Sequence, residues 1–262
     1  MKAQKAITPI KSALDTNALA FILAAGITDS TQKSAINTLV LGLKSDNLWT
    51  KMKAVYPFVG GTATSHKFNL MNPVDSDAAF RLVFNGGWTH SATGAKPNGT
   101  NGWANTYVNG SVVLSQNSTH LSYYSRTQSN GVEVEIGAGS TSNGSLIEIR
   151  TSGITYYRVN SAASYITYSD SDSRAFYIAN RSASNIVNGW RNSTKVTTGT
   201  TASTTPYNGN IYLGAFNDTG ITSFYSTKEC AFASIGDGLT DTEASNLYTL
   251  VQAFQTSLSR QV

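Results

Sequence analysis

After residue 79, apolar and polar residues alternate in a series of short runs, and this alternation constrains the fold more than any other feature of the sequence. A period of two places successive side chains on opposite faces of a β-strand. The runs are AFRLVF (79–84), HLSYYSRT (120–127), GVEVEIGAG (131–139), SLIEIRT (145–151), ITYYRVN (154–160), SYITYS (164–169), RAFYIANR (174–181), NIVNGWRN (185–192), NIYLGAFN (210–217) and ECAFASIG (229–236). Turn-forming Gly, Asn, Asp and Ser residues separate most of them. Short strands at this spacing predict a mainly β fold, an antiparallel β-sandwich.

The first 60 residues have a helical period instead. Asp15 and Asp29 are suited to cap the N-termini of two helices, and the second helix has Gln32 at the capping-box position. We interpret the segment DNLWTKMKAVY (46–56) as a third helical piece, which ends before Pro57 because proline does not continue a helix.

These segments divide the chain into an N-terminal arm (1–12), a helical docking segment (13–60) and a β-sandwich (61–262). The helical segment has too few apolar residues to fold alone, so we expect it to pack on the sandwich or on another subunit. The residues predicted to form this assembly interface are Leu19, Ile22, Leu23, Ile36, Leu39, Val40, Leu43 and Trp49.

The chain ends in a segment with strong helical features. Thr240 and Glu243 form a capping box, which predicts a helix over 241–259. Apolar residues recur in it every three or four positions, at Ala244, Leu247, Tyr248, Val251, Phe254 and Leu258. A one-sided stripe of this kind predicts that the helix lies across one sheet. Arg260 follows at the end where a cation suits the helix dipole.

Composition excludes several classes of function. Charged residues are 13% of the chain, against about 25% in an average domain. The net charge of +4 is dispersed, so no nucleic-acid partner is expected, since that requires a concentrated basic patch. No apolar run approaches the roughly 18 residues that a membrane span needs. The single cysteine, Cys230, lies in an apolar run and is interpreted as an inert buried thiol.

The C-terminal segment FASIGDGLTDTEASNLYTLVQAFQTSLSR (232–260) resembles the end of the concanavalin-A-like (laminin-G-like) jelly rolls found in bacteriophage virion proteins. The segment RAFYIANRSASNIVNGWRNSTKV (174–196) is similar to a hairpin of those domains. Residues 24–73 resemble the helical leader that precedes them, and the matching positions are Trp49, Pro57, Gly60, Gly61, His66, Lys67 and Asn69. The resemblance covers residues 14–262 and implies a tail, baseplate, head-fibre or capsid-decoration protein.

Glu133 and Glu135, in the run VEVEIG, are the strongest candidates for catalysis. On a strand they point to the same face, roughly 6.5–7 Å apart, and paired carboxylates hydrolyse glycosidic bonds. Laminarinase-type enzymes of the same fold have a related catalytic strand, but their third acid has no counterpart here. We therefore expect the two glutamates to face solvent opposite an inward row that contains Val132 and Val134, and we predict no enzymatic activity.

Aromatic residues are the candidates for ligand binding, because their faces stack on sugar rings while neighbouring amides and hydroxyls orient them. The residues predicted to bind carbohydrate are Trp88, Trp103, Tyr124, Tyr157 and Tyr168. Both tryptophans belong to residues 85–111, which we interpret as a long Gly/Asn-rich loop. Asp170 and Asp172 lie in one predicted turn, and whether their carboxylates bind a calcium ion stays an open question at this point. The three histidines lack metal-ligand spacing, and we predict no metal and no cofactor.

The predicted function is that of a non-enzymatic structural component of a bacteriophage virion, which docks through its N-terminal helices and displays a lectin-like sandwich. Expected partners are other virion proteins and further copies of the chain in a homo-oligomer. The expected location is the virion, assembled in the bacterial cytoplasm. The alternative is a glycan-binding adhesin for host attachment. A laminarinase-like glycoside hydrolase that uses Glu133 and Glu135 is a third hypothesis.

Overall fold

The computed structural model describes residues 14–262, and the predicted arm (1–12) lies outside them. The helices of the described part are α1 (Thr16–Ala24), α2 (Ser30–Ser45), α3 (Ala63–His66), α4 (Gly110–Val113) and α5 (Asp241–Ser257). None of them has the length and hydropathy needed to cross a membrane. The strands are β1 (Met52–Tyr56), β2 (Val83–Asn85), β3 (Trp88–Ser91), β4 (Gly94–Pro97), β5 (Trp103–Asn109), β6 (Thr119–Ser125), β7 (Ile136–Gly139), β8 (Gly144–Thr151), β9 (Ile154–Arg158), β10 (Ile166–Ser169), β11 (Ala175–Ala183), β12 (Ile186–Arg191), β13 (Thr194–Gly199), β14 (Asn210–Leu213), β15 (Phe216–Asp218), β16 (Ile221–Ser223) and β17 (Cys230–Gly236).

Two sheets contain all of these strands. The first has eight strands in the order β13-β12-β11-β6-β17-β4-β3, and β1 also pairs with β17. The second has nine strands in the order β10-β9-β8-β7-β14-β5-β2, while β15 pairs with β7 and β16 pairs with β15. Strand pairs are antiparallel except for β15 with β7. The predicted antiparallel β-sandwich is confirmed.

The inner faces of the two sheets bury a common hydrophobic core. Tyr123 and Ile235 of the eight-stranded sheet meet Ile136 and Leu213 of the nine-stranded sheet in it. Cys230 belongs to this core as a free, buried thiol. Burial raises the pKa of this thiol well above its ordinary value, which keeps it protonated and unreactive.

Helices cover the outer face of the eight-stranded sheet. A second core lies between that face and α1, α2 and α5, and in it the rings of Phe176 and Phe232 meet edge to face with centroids 6.0 Å apart. Helix α5 begins at the predicted capping box, in which Thr240 and Glu243 bond reciprocally. The predicted C-terminal helix and its place across one sheet are confirmed.

Most residues predicted to dock on a partner are buried inside the molecule instead. Five of them belong to the core beneath the helices: Ile22, Ile36, Leu39, Val40 and Leu43. For these five the predicted docking role is wrong, because the surface on which they pack is the sandwich itself. Trp49 is half-buried against the same core. Leu19 and Leu23 remain 41% and 71% exposed on α1.

The segment predicted as a third helical piece is mostly a strand. Trp49–Lys51 forms one turn of 3₁₀ helix, and β1 follows it directly. β1 pairs antiparallel with β17, where Tyr56 lies opposite Ala233. Val55 and Tyr56 have side chains that favour a strand, and pairing with the central sheet overrides the helical spacing of the apolar residues.

The region 85–111 contains three strands rather than one long loop. β3 and β4 form a hairpin on the edge of the eight-stranded sheet, and β5 enters the nine-stranded sheet. Along β5, half-buried and buried residues alternate without exception. The Gly- and Asn-rich stretches are the turns between these strands, so the loop interpretation is wrong, and both tryptophans lie on strands.

Candidate functional site

The predicted acid pair, Glu133 and Glu135, is buried rather than exposed to solvent. A bend at Glu135 interrupts the alternation just before β7. Val134 therefore packs against Leu146 in a small separate cluster outside the main core, and Val132 is 61% exposed. The expectation of two solvated glutamates opposite an inward valine row is wrong, because the bend turns both carboxyl groups into the protein.

Lys228 lies between the two carboxylates. Its Nζ is 3.0 Å from Oε2 of Glu133 and 3.1 Å from Oε1 of Glu135. Main-chain N–H groups of Thr227 and Ile149 donate one hydrogen bond to each carboxylate, at 2.8 and 2.6 Å. The cluster therefore links the strand β17, which follows Lys228, to the other sheet, and its polar atoms are engaged inside the protein.

Burial affects the two glutamates differently. It raises the pKa of Glu135 to about 7, against the attraction of Lys228. Burial also acts to raise the pKa of Glu133, but Lys228 and the hydrogen bonds from Thr227 outweigh it and hold that pKa below its ordinary value. The arrangement is a buried ion cluster and differs from two carboxylates that flank an open cleft.

Asp170 and Asp172, the pair left open as calcium ligands, both have protein partners. Asp170 is buried and accepts hydrogen bonds from the hydroxyls of Thr155 and Tyr177, and Asp172 pairs with Arg174 at 2.9 Å. Within residues 14–262, no group of three His, Cys, Asp or Glu side chains is arranged to hold a metal ion. The two carboxylates organise the turn that precedes β11.

The aromatic residues predicted to bind carbohydrate do not form one site. Tyr124 lies beneath α5 and donates its hydroxyl to Gln252, and Tyr157 fills the core between the sheets and donates to the carbonyl of Trp190. Neither tyrosine has exposed surface, so the prediction is wrong for these two. Tyr168 is half-buried on β10, the last strand of its sheet.

Trp88 and Trp103 lie close together. The Nε1–H of Trp88 donates to the carbonyl oxygens of Asn85 and Trp103, at 3.1 and 3.2 Å. The ring of Trp88 also packs against the core between the sheets. Trp88 therefore supports the main chain of Trp103, whose own side chain projects from the opposite face of β5.

Trp103, Tyr107 and Tyr212 form what we call the aromatic cluster, on the outer face of the nine-stranded sheet. In β5, Ala104 and Val108 point into the core, so Trp103 and Tyr107 point away from it. Tyr212 likewise stands between two core residues on β14. Its ring centroid lies 4.2 Å from that of Trp103. All three side chains are half-buried and keep part of their ring surface accessible.

Tyr107 has a strained backbone. Its φ is +57°, a left-handed conformation that costs roughly 1–2 kcal/mol for a residue with a β-carbon. It lies in a bulge, because Asn210 and Tyr212 of β14 pair with Asn109 and Asn105 of β5, which are four positions apart. The Tyr107 N–H donates to Oδ1 of Asn105 at 2.9 Å and holds the bulge in place. Strain and bulges concentrate where a side chain must be aimed for function.

Amide side chains surround the aromatic cluster. Asn85 lies directly opposite Trp103 on the neighbouring strand, and Nδ2 of Asn109 donates to Oδ1 of Asn208 at 3.0 Å. Partial burial and the neighbouring tyrosines raise the pKa of Tyr212, so its hydroxyl stays neutral and can donate a hydrogen bond. The surface combines ring faces with amides and a hydroxyl, which can hold an uncharged polyhydroxylated ligand.

The sequence identified one member of this cluster and missed two. Tyr212 could have been found, since it alternates with Ile211 and Leu213 in a strand whose other face is apolar. Tyr107 alternates with the buried residues of β5 as Trp103 does, but the bulge in which it lies leaves no trace in that pattern.

No family model matches the sequence, and no curated protein is significantly similar to it. Solved structures do resemble it in fold. A mutant of Trypanosoma rangeli sialidase displaying trans-sialidase activity is 11% identical with a TM-score of 0.55, over 84% of this chain and 39% of that one.

Two further structures match less closely. Domain 4 of AbnA, a GH43 extracellular arabinanase from Geobacillus stearothermophilus in complex with arabinotriose, has a TM-score of 0.48 and 14% identity over 76% of this chain and 98% of that domain. The NanB sialidase of Streptococcus pneumoniae has a TM-score of 0.37 and 18% identity over 50% of this chain and 24% of that one. The present chain thus spans about a quarter of NanB and well under half of the T. rangeli enzyme. At these identities the likeness concerns the β-sandwich fold.

Proposed function

We propose that this protein is a non-enzymatic carbohydrate-binding β-sandwich that holds a glycan on the aromatic cluster of Trp103, Tyr107 and Tyr212. The observation that carries the proposal is the cluster itself. The rings of Trp103 and Tyr212 meet on the face of a sheet that the helices leave open. Tyr107 lies beside them on β5, in a strained bulge.

The chemistry of the cluster suits a sugar. The C–H face of a pyranose or furanose ring is apolar and stacks on an aromatic face, while its hydroxyls need directional donors and acceptors. Trp103 and Tyr212 supply the stacking surface, and the amides of Asn85 and Asn105 supply polar groups on adjoining positions. Aromatic residues with a polar tip bind such amphipathic ligands at low entropic cost, because they have few rotatable bonds.

The test is binding to an array of microbial glycans, followed by titration of the best ligand with variants. We expect Trp103→Ala and Tyr212→Ala each to weaken binding at least tenfold, which corresponds to about 1.4 kcal/mol. Tyr165→Ala is the control, since Tyr165 is an exposed tyrosine that packs against Tyr156 on a distant strand of the same sheet. Undiminished binding by the Trp103→Ala/Tyr212→Ala double variant would contradict the proposal.

The absence of catalysis is a separate part of the proposal. Its support is that both acids are buried and form ion pairs with Lys228 inside the protein. Incubation with the bound glycan should release no reducing ends. Release that disappears in a Glu135→Gln variant would show that the cluster opens and hydrolyses the glycan.

We further propose that the glycan-binding sandwich is carried on a bacteriophage virion as a host-attachment protein, in a homo-oligomer with other virion proteins as partners. The support is the sequence resemblance over residues 14–262, together with Leu19 and Leu23, which are exposed apolar positions on α1 suited to a protein contact. Antibodies against the purified chain should label intact phage particles. Leu23→Glu should lower the oligomeric state measured by light scattering, with Val112→Glu as the control on the far side of the sandwich.

A further inference from the structure

An open groove of about 330 Å³ lies between α3 and β2, the last strand of the nine-stranded sheet. Leu82, Val83 and Phe84 contribute apolar lining to it. Two charged residues line it, Lys67 and Arg81, and both are cations.

Two aspartates pair with these cations without lining the groove. Asp75 accepts from Nζ of Lys67 at 2.6 Å and from Nη1 of Arg81 at 2.7 Å. Asp77 accepts from Nε of Arg81 at 3.0 Å. Among the residues that the structure describes, Nη2 of Arg81 has no hydrogen-bond partner. The guanidinium therefore keeps one donor free, from which an oxyanion can accept a hydrogen bond.

The groove is close to the aromatic cluster. Val83, which lines the groove, pairs with Asn105 of β5, and Asn105 pairs in turn with Tyr212 of β14. Neighbouring strands are about 4.8 Å apart, so two steps place the main chain of Val83, at one side of the groove, roughly 10 Å from that of Tyr212. A chain of sugar units that lies across these strands would reach from the stacked rings to Arg81.

We propose that this groove is an anion subsite of the glycan site, so that the ligand is an acidic polysaccharide with a carboxylate or a sulfate group. The inference rests on the proposed function, since it adds a subsite to the same glycan site. The anion would accept from Nη2 of Arg81 and from Nζ of Lys67. Asp75 competes for the same cations, but exposed ion pairs of this kind are weak and exchange readily.

The experiment uses an array of bacterial polysaccharides that pairs carboxylated, sulfated and neutral polymers, and titrates the best of each class. The intact chain should prefer acidic polymers, and 0.5 M NaCl should weaken that binding while leaving neutral binding unchanged, because salt screens exposed charges. A comparison of binding to the carboxylated polymers with binding to the sulfated polymers identifies which anion the groove prefers.

Variants make the test specific. Arg81→Gln should weaken binding to acidic polymers about tenfold and leave binding to neutral polymers unchanged. Asp75→Asn removes a competitor and should strengthen acidic binding about threefold. Lys195→Ala is the matched control, because Lys195 is also a surface lysine paired with an aspartate, Asp241, but belongs to the other sheet.

The outcomes separate this inference from the proposed function. Binding to neutral polymers alone, abolished by Trp103→Ala, overturns the anion subsite and leaves the glycan site standing. An equal effect of Arg81→Gln on neutral and acidic polymers also overturns the subsite. Failure of the intact chain to bind any polymer overturns both.

Discussion

The two outer faces of the sandwich differ in what covers them. The eight-stranded sheet has a second hydrophobic core on its outside, where large side chains such as Phe176 and Phe232 pack beneath α1, α2 and α5. Of the residues described, none from the nine-stranded sheet belongs to that core. Its outer face carries Trp103, Tyr107 and Tyr212 instead, half-buried and beside amides.

The difference indicates that the two faces contribute differently to stability. A face that is covered can be wholly apolar, because burial of that surface stabilises the protein by about 25 cal/mol per Å². A face that stays open uses aromatic residues with polar tips and tolerates backbone strain at Tyr107. We therefore expect changes on the covered face to alter stability, and changes on the open face to alter binding.

The largest effect should come from Phe232→Ala. Phe232 is fully buried between β17 and the helical layer, and removal of such a ring costs about 3–5 kcal/mol. Tyr212→Ala, on the open face, should cost less than about 1 kcal/mol. Urea unfolding followed by circular dichroism measures both.

If Phe232→Ala does not fold, Phe232→Leu should still lose about 1 kcal/mol, since it keeps much of the volume. Equal losses for Phe232→Leu and Tyr212→Ala would remove the distinction between the faces.

Next in size is Arg260→Lys. Arg260 follows α5 and is buried, and its guanidinium donates to the carbonyls of Pro57, Phe58 and Ala231 and to Oε1 of Gln255. Burial lowers its pKa to about 9, and nearby Arg126 adds to the effect. The predicted role at the helix dipole is therefore replaced by a clasp between the helical layer and the sheet.

A lysine has no planar fork and would leave some of these acceptors unpaired, so we expect a loss of about 2–3 kcal/mol in the free energy of unfolding. The matched change is Arg158→Lys in the nine-stranded sheet, where a buried guanidinium donates to two carbonyls, those of Ser140 and Ser161. A smaller loss is expected for Arg158→Lys, and an Arg260→Lys variant as stable as the intact chain would show that the Arg260 contacts are dispensable.

Acid should destabilise the protein by an intermediate amount. Burial lowers the pKa of His66 to about 3 and that of His120 to about 4. As the pH falls below about 6.5, both imidazoles are therefore protonated in the unfolded chain before they are protonated in the folded protein. Stability is then full above pH 6.5 and is lost as the pH falls. Glu135 has the opposite effect. Because its pKa is raised, the folded protein binds this proton before the unfolded chain does, so Glu135 adds stability as the pH falls from about 7 to 4.5.

Two histidines outweigh one glutamate, so we expect a net loss of the order of 2 kcal/mol between pH 7 and pH 5. His120 lies on the outer side of β6, where its ring bonds to Ser234 and to the carbonyl of Asp237. At pH 5, protection against hydrogen exchange, relative to the intrinsic rate at that pH, should therefore fall in α5 before it does in β5. Stability that rises steadily from pH 7 to pH 5 would contradict the assignment.

The sequence predicted much of the fold, because alternation and capping are local signals. The runs after residue 79 predicted the two sheets, and the capping box at Thr240 predicted α5. Alternation failed where both faces of a strand are buried, as in β6, whose seven residues are all buried. That is why Tyr124, which lies under a helix, could not be distinguished from an exposed tyrosine.

The candidate site was less accessible from sequence. The alternation in Val-Glu-Val-Glu does not show whether the valines or the glutamates face the protein interior. The buried partner of the glutamates, Lys228, is 93 residues from Glu135. Trp103 was identified as an aromatic residue of the Gly/Asn-rich stretch 85–111, whereas its contact with Tyr212 depends on the register between β5 and β14. Register and long-range charge pairing are tertiary properties, so no local pattern could have supplied them.

The smallest effect tests the strain on the open face. Tyr107→Ala and Tyr107→Gly both remove the ring, but only glycine adopts a φ of +57° without cost. We expect the glycine variant to be more stable than the alanine variant by about 1 kcal/mol in urea unfolding. Both should bind glycan more weakly than the intact chain. If the two variants are equally stable, Tyr107 is not strained, and the bulge does not store energy to aim a ring. If instead the difference appears and binding is unaffected, the strain is real, but Tyr107 is not part of the site, which would then consist of Trp103 and Tyr212 alone.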